Sequence, residues 1–187
     1  MSDGDVTRAE QKLMGAVGAF GIDFRGKTVL DIGSSTGGFT KLALERGAAK
    51  VVAVEKGTRQ MRGELAADPR VELHEKTDIF DFVPDEEPDM ILADVSFASL
   101  TKVLAYAKMN LIGHHTVCLV MLKPQFEVGG AALNKGVMKN SRERREVVKK
   151  FEIWLKSNGF VILGKRDNEV TGRFGNQERF YYLRMIG

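Results

Sequence analysis

The chain has 187 residues, 43% hydrophobic and 28% charged, with a formal net charge of +3 and a pI near 9.0. That length holds one domain with a full core and is short for two, and the balance is that of an ordinary soluble globule. No apolar run reaches membrane-spanning length, residues 1–5 lack a signal-peptide pattern, and a single cysteine, Cys118, excludes an internal disulfide.

Thr7-Arg-Ala-Glu10 has a capping-box pattern, and Leu13, Ala16, Val17 and Phe20 follow it at helical spacing. A helix broken near Gly21 is therefore expected, with residues 1–6 disordered ahead of it. Lys12 lies beside the apolar stripe and, by pattern alone, reads as a solvated flank residue.

The stretch from Thr28 to Phe39, TVLDIGSSTGGF, reads as a buried strand, a turn of small residues, and a helix opening at Phe39 and running to Gly47. Small residues let a ligand approach the backbone, and the first helical turn offers unpaired N–H groups. Against the dinucleotide pattern Gly-x-Gly-x-x-Gly, the run Gly33 to Gly38 carries Ser35 at the middle glycine, the position that admits a pyrophosphate. S-adenosylmethionine has no phosphate and tolerates a side chain there. The next strand, Lys50 to Glu55, ends in a carboxylate placed for ribose hydroxyls, with Lys56 behind it. Asp31, Gly33, Ser35, Thr36, Gly37, Gly38, Glu55 and Lys56 are thus candidate cofactor contacts. The pattern favours an adenosyl ligand over a dinucleotide, with a purely structural glycine turn as the third reading.

Gly57 to Ala67 reads as a short helix, Asp68-Pro69 as a turn and Arg70 to His74 as the third strand. Asp78 and Ile79 follow where a loop would border adenine; Asp78 suits an exocyclic amine or a turn cap equally well. Asp81 to Pro88 is an acidic surface loop. Asp89 to Asp94 is the fourth strand, and its terminal carboxylate stands at the carboxyl edge, where open parallel sheets place their ligands. Ser96 to Ser99 continues into a helix ending near Asn110. His114 and His115 read as exposed turn residues, and no metal is expected.

The fifth strand, Thr116 to Leu122, takes in Cys118 as a small buried hydrophobe and ends in Lys123-Pro-Gln-Phe-Glu127. A lysine at the end of a buried strand, with proline behind it, is a positioned cation. Gly129 to Met138 is a flexible loop beside the pocket. Asn140-Ser-Arg-Glu143 is a second capping box, opening a helix to Ser157 that buries Val147, Val148, Phe151 and Leu155. Its other face carries Arg142, Arg145, Lys149 and Lys156. From Lys135 to Arg166 ten basic residues face three acidic ones, so the stripe reads equally as a solvated face or a nucleic-acid contact. Phe160 to Lys165 and Arg179 to Met185 are strands around a glycine-bearing loop at Thr171 to Asn176; with no helix between them they predict an antiparallel hairpin closing a parallel sheet.

Thr7-Arg8 with Lys12-Leu13, the run from Leu30 to Phe39, Asp94 to Leu100, Lys123 to Glu127 and Gly175-Asn-Gln-Glu178 together resemble the TlyA-like, or haemolysin A, branch of the FtsJ-like RNA ribose methyltransferases. The resemblance implies a single α/β domain over residues 1–187, a Rossmann-like class I fold with a mostly parallel seven-stranded sheet and a C-terminal antiparallel hairpin. It implies S-adenosyl-L-methionine as donor and 2′-O-methylation of RNA, expected to be ribosomal, in the cytoplasm. The family's Lys-Asp-Lys-Glu tetrad is matched by Lys12, Asp94, Lys123 and Glu178. Lys123 is the expected base. Lys12 would hold the target nucleotide and favour the neutral form of Lys123, Asp94 would orient the lysines and face the cofactor, and Glu178 would anchor the cluster. Arg8, Arg142, Arg145 and Lys149 are the expected RNA contacts.

The sequence also departs from the branch. An S4 RNA-binding domain usually precedes the tetrad, whereas eleven residues precede Lys12 here, so a separate RNA-binding partner is one expectation. Asp78-Ile79-Phe80 stands where Asn-x-Arg is usual, Asn168-Glu169 replaces Ser-Pro, and Arg179 replaces an apolar residue after Glu178. A catalytically silent RNA-binding module of the same fold is the alternative. A membrane-lytic haemolysin is disfavoured by the lack of an apolar span.

Overall fold

A computed structural model describes residues 6–96, 98–128, 138, 140–171 and 175–186. Seven strands form one sheet in the order β3-β2-β1-β4-β5-β7-β6: β1 (Thr28–Ile32), β2 (Lys50–Glu55), β3 (Val71–Glu75), β4 (Met90–Ala93), β5 (Val117–Leu122), β6 (Phe160–Asp167) and β7 (Arg179–Met185). The first five are mutually parallel. β7 runs antiparallel between β5 and β6, as the missing helix between the last two strands predicts. The central strands are apolar nearly throughout because helices cover both faces of the sheet.

One face carries α4 (Leu100–Asn110) and α6 (Ser141–Ser157), whose Val103, Leu104, Val148, Phe151 and Leu155 pack on Ile91, Val120 and Tyr181. The other carries α1 (Arg8–Phe20) and α2 (Gly38–Glu45), with Leu13, Val17, Phe39 and Leu42 packed on Leu119, Met121 and Phe180. Both expected caps form: Thr7 accepts from the Glu10 amide and Asn140 from the Arg142 amide. The four residues expected to be buried on α6 are buried, and Arg142, Arg145, Lys149 and Lys156 are exposed.

Local readings fail where distant side chains compete for the backbone. The expected helix from Gly57 to Ala67 shrinks to α3 (Gly63–Ala66). Arg59 takes φ +51°, outside the right-handed helical region, and the Glu75 carboxylate accepts the Gln60 amide at 3.2 Å, which takes that amide from a helix. By contrast, the helix expected after Ser96 to Ser99 forms as α4 and ends at Asn110 as expected, its Leu100 amide accepted at 2.6 Å by Glu127. Glu127 ends α5 (Pro124–Glu127), a single turn that local periodicity does not announce. Of the residues 1–6 expected to be disordered, 1–5 lie outside the described residues, as do nearly all of the expected flexible loop from Gly129 to Met138 and residues 172–174 of the glycine-bearing loop.

α1 is held against the hairpin by Phe20, which stacks on Tyr182 with ring centroids 6.1 Å apart and lies over Gly164 at the irregularity in β6. A Cβ at Gly164 would stand 2.7 Å from the Phe20 ring. Gly164→Val should therefore displace Phe20 and destabilise the protein by about 1–3 kcal/mol in urea unfolding; unchanged stability would mean that α1 is not held by this packing.

Candidate active site

The carboxyl ends of β1, β2, β4 and β5, together with the antiparallel start of β7, converge on one edge of the sheet. The turn after β1 is tied to β2, with the Gly33 amide donating to the Val54 carbonyl at 2.9 Å and the Ser35 amide to Glu55 Oε2 at 2.9 Å. Gly33 has φ +79°, and a Cβ there would lie 3.1 Å from the Asp94 carbonyl oxygen. This close approach sets the end of β1 against the end of β4. Gly37 and Gly38 have a different use: a Cβ would strike Leu65 at Gly37 and Ala9 at Gly38. Packing at Gly38, and at Gly37 a φ of +87° that side chains rarely adopt, therefore require small residues within the protein itself, beside the ligand approach that the sequence pattern assigns to them.

Asp31 is the buried carboxylate beneath this turn. Thr40 donates to its Oδ2 at 2.7 Å, while Oδ1 and the neighbouring Ser34 Oγ are buried with no hydrogen-bond partner among the described residues. Burial pushes the Asp31 carboxyl up to about 7; the Thr40 hydrogen bond opposes the rise and the nearby Asp94 charge adds to it. Asp78 caps the 3-10 turn Ile79–Asp81 through the Phe80 amide. Lys56, 2.8 Å from Asp78, holds its carboxyl below the ordinary carboxylate range. Asp78 thus serves as the cap of this turn. Ser35 and Thr36 are exposed on the rim, and Ile79 is buried under it.

The four tetrad positions fall into two ion pairs. Lys123 Nζ stands 2.5 Å from Asp94 Oδ1, both side chains mostly buried, in contact without hydrogen-bond alignment. Lys12 Nζ donates to Glu178 Oε2 at 2.5 Å, and this pair is nearly sealed, with side chains 8% and 3% exposed. The β5–β7 register, ending at Leu122 opposite Arg179, brings Lys123 and Glu178 to facing positions just beyond the ladder. The solvated-flank reading of Lys12 is overturned: its position on α1 turns it inward to a carboxylate 166 residues away.

The backbone around Glu178 is clamped from both sides. Arg179 binds Asp167 through two nitrogens at 2.7 and 2.9 Å, Arg144 reaches Asp167 at 2.5 Å and the Gln177 carbonyl at 3.2 Å, and the Asn168 amide donates to the Glu178 carbonyl at 2.9 Å. The two family departures, at Arg179 and after Asp167, are therefore parts of one network. Sequence reasoning missed Asp167, Arg144, Thr40, Ser96 and Glu127, because their roles rest on partners distant in sequence.

The expected RNA residues lie apart from the tetrad. Arg8 is exposed on the first turn of α1. Arg142 pairs loosely with Glu146 at 3.4 Å, and Arg145 and Lys149 line a cavity of about 200 Å³ with Arg144, Lys165 and Arg179. His114 and His115 are exposed in their turn, and among the described residues no group of side chains could hold a metal ion. Cys118 is buried, which pushes its thiol up to about 12 and leaves it inert. No helix among the described residues is long and apolar enough to cross a membrane.

A parallel sheet with an inserted antiparallel seventh strand, carrying a glycine turn and lysine–carboxylate pairs on its carboxyl edge, defines an α/β domain of the methyltransferase class. The chain belongs to the FtsJ-like methyltransferase family, which matches residues 6–185, and to its TlyA-like branch. It is 37% identical over 179 residues to the 23S rRNA (cytidine-2′-O)-methyltransferase TlyA of Campylobacter jejuni, covering 95% of this chain and 70% of that protein. It is 37% identical over 183 residues to the 16S/23S rRNA (cytidine-2′-O)-methyltransferase TlyA of Mycobacterium tuberculosis, covering 96% of this chain and 68% of that one. A solved structure from Streptococcus thermophilus with a provisional haemolysin designation superposes with a TM-score of 0.90 at 30% identity, covering 96% of this chain and 66% of that one.

The buried Asp31 generates a pH dependence. The folded chain keeps a proton that the unfolded chain releases near 3.8, so this group's effect on stability turns unfavourable as pH rises from 3.8 towards 7. Denaturant titrations should show Asp31→Asn gaining on the native protein by on the order of 1 kcal/mol or more between pH 4 and 8. A constant difference between the two across that range would mean that Asp31 ionises in the fold without penalty.

Proposed function

We propose that this chain transfers a methyl group from S-adenosylmethionine to a ribose 2′-hydroxyl of RNA, ribosomal RNA being the substrate class, in the cytoplasm. The observation that carries the reading is the meeting of the Lys123–Asp94 and Lys12–Glu178 pairs at one sheet edge, next to the glycine turn. The activities by which the two TlyA relatives are named support the same reaction. A silent RNA-binding module would have no need of two buried lysine–carboxylate pairs.

The residues fit the cofactor. Asp31 Oδ1 and Ser34 Oγ are buried acceptors without protein partners among the described residues, suited to a charged amino-acid tail. Glu55 Oε2, which accepts the Ser35 amide, retains a lone pair for a ribose hydroxyl, while Oε1 accepts both the Gly57 amide and Gln60 Nε2. The bound cofactor would supply an electrophilic methyl group on a sulfonium. This chain's residues would align the ribose and remove its proton: Lys123, in its neutral form, accepts the hydroxyl proton as the oxygen–carbon bond forms. Asp94 keeps that amine at the end of β5, Glu178 anchors Lys12, and Lys12 holds the target nucleotide. Arg8, Arg142, Arg145 and Lys149 would bind phosphates.

Lys123→Met keeps much of the side-chain length and removes the amine, so single-turnover methylation should fall on the order of a hundredfold or more with cofactor affinity little changed. Near-native rates would rule Lys123 out as the base. Neutralising Arg142, Arg145 and Lys149 together should weaken RNA binding and reduce the salt slope by up to about one unit for each phosphate no longer neutralised. An unchanged slope would make the stripe a solvated face.

A further inference from the structure

A second cleft opens beside the Lys123–Asp94 pair. It measures about 440 Å³ and is lined by Phe80, Ser96, Ala98, Ser99, Lys102 and Phe126, a size within the range of small-ligand sites. Two approaches join it to the pair: Lys123 Nζ lies 3.4 Å from Ser96 Oγ and 6.0 Å from the centroid of the Phe126 ring. The cleft and the amine therefore share a wall.

We propose that this cleft seats the target nucleotide, its base stacked on Phe126 and an adjoining phosphate held by Lys102. The proposal rests on the methyltransferase reading above. Phe126 is 42% exposed although it follows a buried proline and glutamine, so the ring offers a face to the cleft. Phe80 also lines the cleft and is fixed edge-on to Tyr106, ring centroids 5.6 Å apart. Lys102 sits on the first turns of α4, exposed, with no ion pair among the described residues. A ring, a cation and a lysine amine in this order match the base, phosphate and 2′-hydroxyl of one unstacked nucleotide. Stacking tolerates any base, so the cleft selects a nucleotide pulled out of its stack more than a particular base.

Glu127 keeps these walls in place. It lies next to Phe126 and accepts from the Leu100 amide and the Ser99 hydroxyl, both at 2.6 Å, which locks the α5 turn to the start of α4. The stacking ring and the phosphate-binding lysine are thereby held at a fixed separation.

The test compares Phe126→Ala, Lys102→Ala and, as a control on an exposed apolar residue outside the cleft, Val83→Ala. Methyl transfer to ribosomal subunits and total RNA is measured alongside calorimetric affinity for S-adenosylmethionine. Phe126→Ala should lower kcat/KM for RNA by about 5- to 150-fold, from the known worth of one base–aromatic stack, with cofactor affinity within twofold of native and Val83→Ala unaffected. Lys102→Ala should weaken RNA binding and reduce its salt slope by about one. Native kcat/KM in Phe126→Ala overturns the proposal, and so does a loss of cofactor affinity in either cleft variant, which would assign the cleft to the cofactor. If the native protein binds S-adenosylmethionine but methylates no RNA, the underlying reading fails instead; RNA methylation by the native protein with an indifferent Phe126→Ala removes only the cleft.

Discussion

A lysine nearly sealed from water is tolerated in a fold only when a carboxylate meets it, and Lys12 meets Glu178 at 2.5 Å. Both charges have shed their hydration, so removing either one leaves the other buried and uncompensated, at a cost of about 3–5 kcal/mol. That dependence binds the first helix to the start of the last strand. It also dictates the rest of the edge: with Glu178 fixed, the β5–β7 register sets Lys123 opposite, and Lys123 in turn meets Asp94 at the end of β4. The site is a consequence of strand order as much as of residue identity.

The insertion of β7 between β5 and β6 makes this possible. An antiparallel strand enters the sheet at the edge where its parallel neighbours finish, so a residue just before β7 joins residues just after β4 and β5. The clamp of Asp167, Asn168, Arg144 and Arg179 holds that entry point. The opposite half of the edge follows different physics. There backbone amides of the turn after β1 and the segment after β2 converge on Glu55, and a single buried carboxylate, Asp31, keeps one oxygen without a partner among the described residues. One half is electrostatically closed and the other keeps unfilled hydrogen-bonding capacity, an asymmetry suited to a fixed catalytic cluster beside an exchangeable ligand.

Glycine illustrates how one residue type serves several constraints. Gly33 combines positive φ with close approach to β4, Gly37 takes φ +87° at the start of α2, and Gly38 makes room for Ala9. The glycine motif thus records helix packing as well as the shape of the turn. Ser35 in the middle of the motif has φ +48°, a conformation stabilised by its amide hydrogen bond to Glu55.

Much of this architecture was written in the sequence, because it depends on neighbours. Apolar runs specified the seven strands, Thr7 and Asn140 announced their helices, and the glycine turn marked the ligand edge. Asp94 and Lys123 were legible as charges at the ends of buried strands, whereas Lys12 and Glu178 were legible only through the family pattern, since nothing near Lys12 distinguishes it from a solvated lysine. The tertiary structure alone decided that Lys12 turns inward to Glu178, that Asp167 and Arg179 form one clamp, and that Glu127 starts α4. It also decided that most of the helix expected after β2 gives way to a left-handed Arg59 and to the capture of the Gln60 amide by Glu75. Each of these outcomes is a charge or backbone amide satisfied by a partner distant in the chain. Such pairings arise from strand order and register, and local periodicity does not encode them.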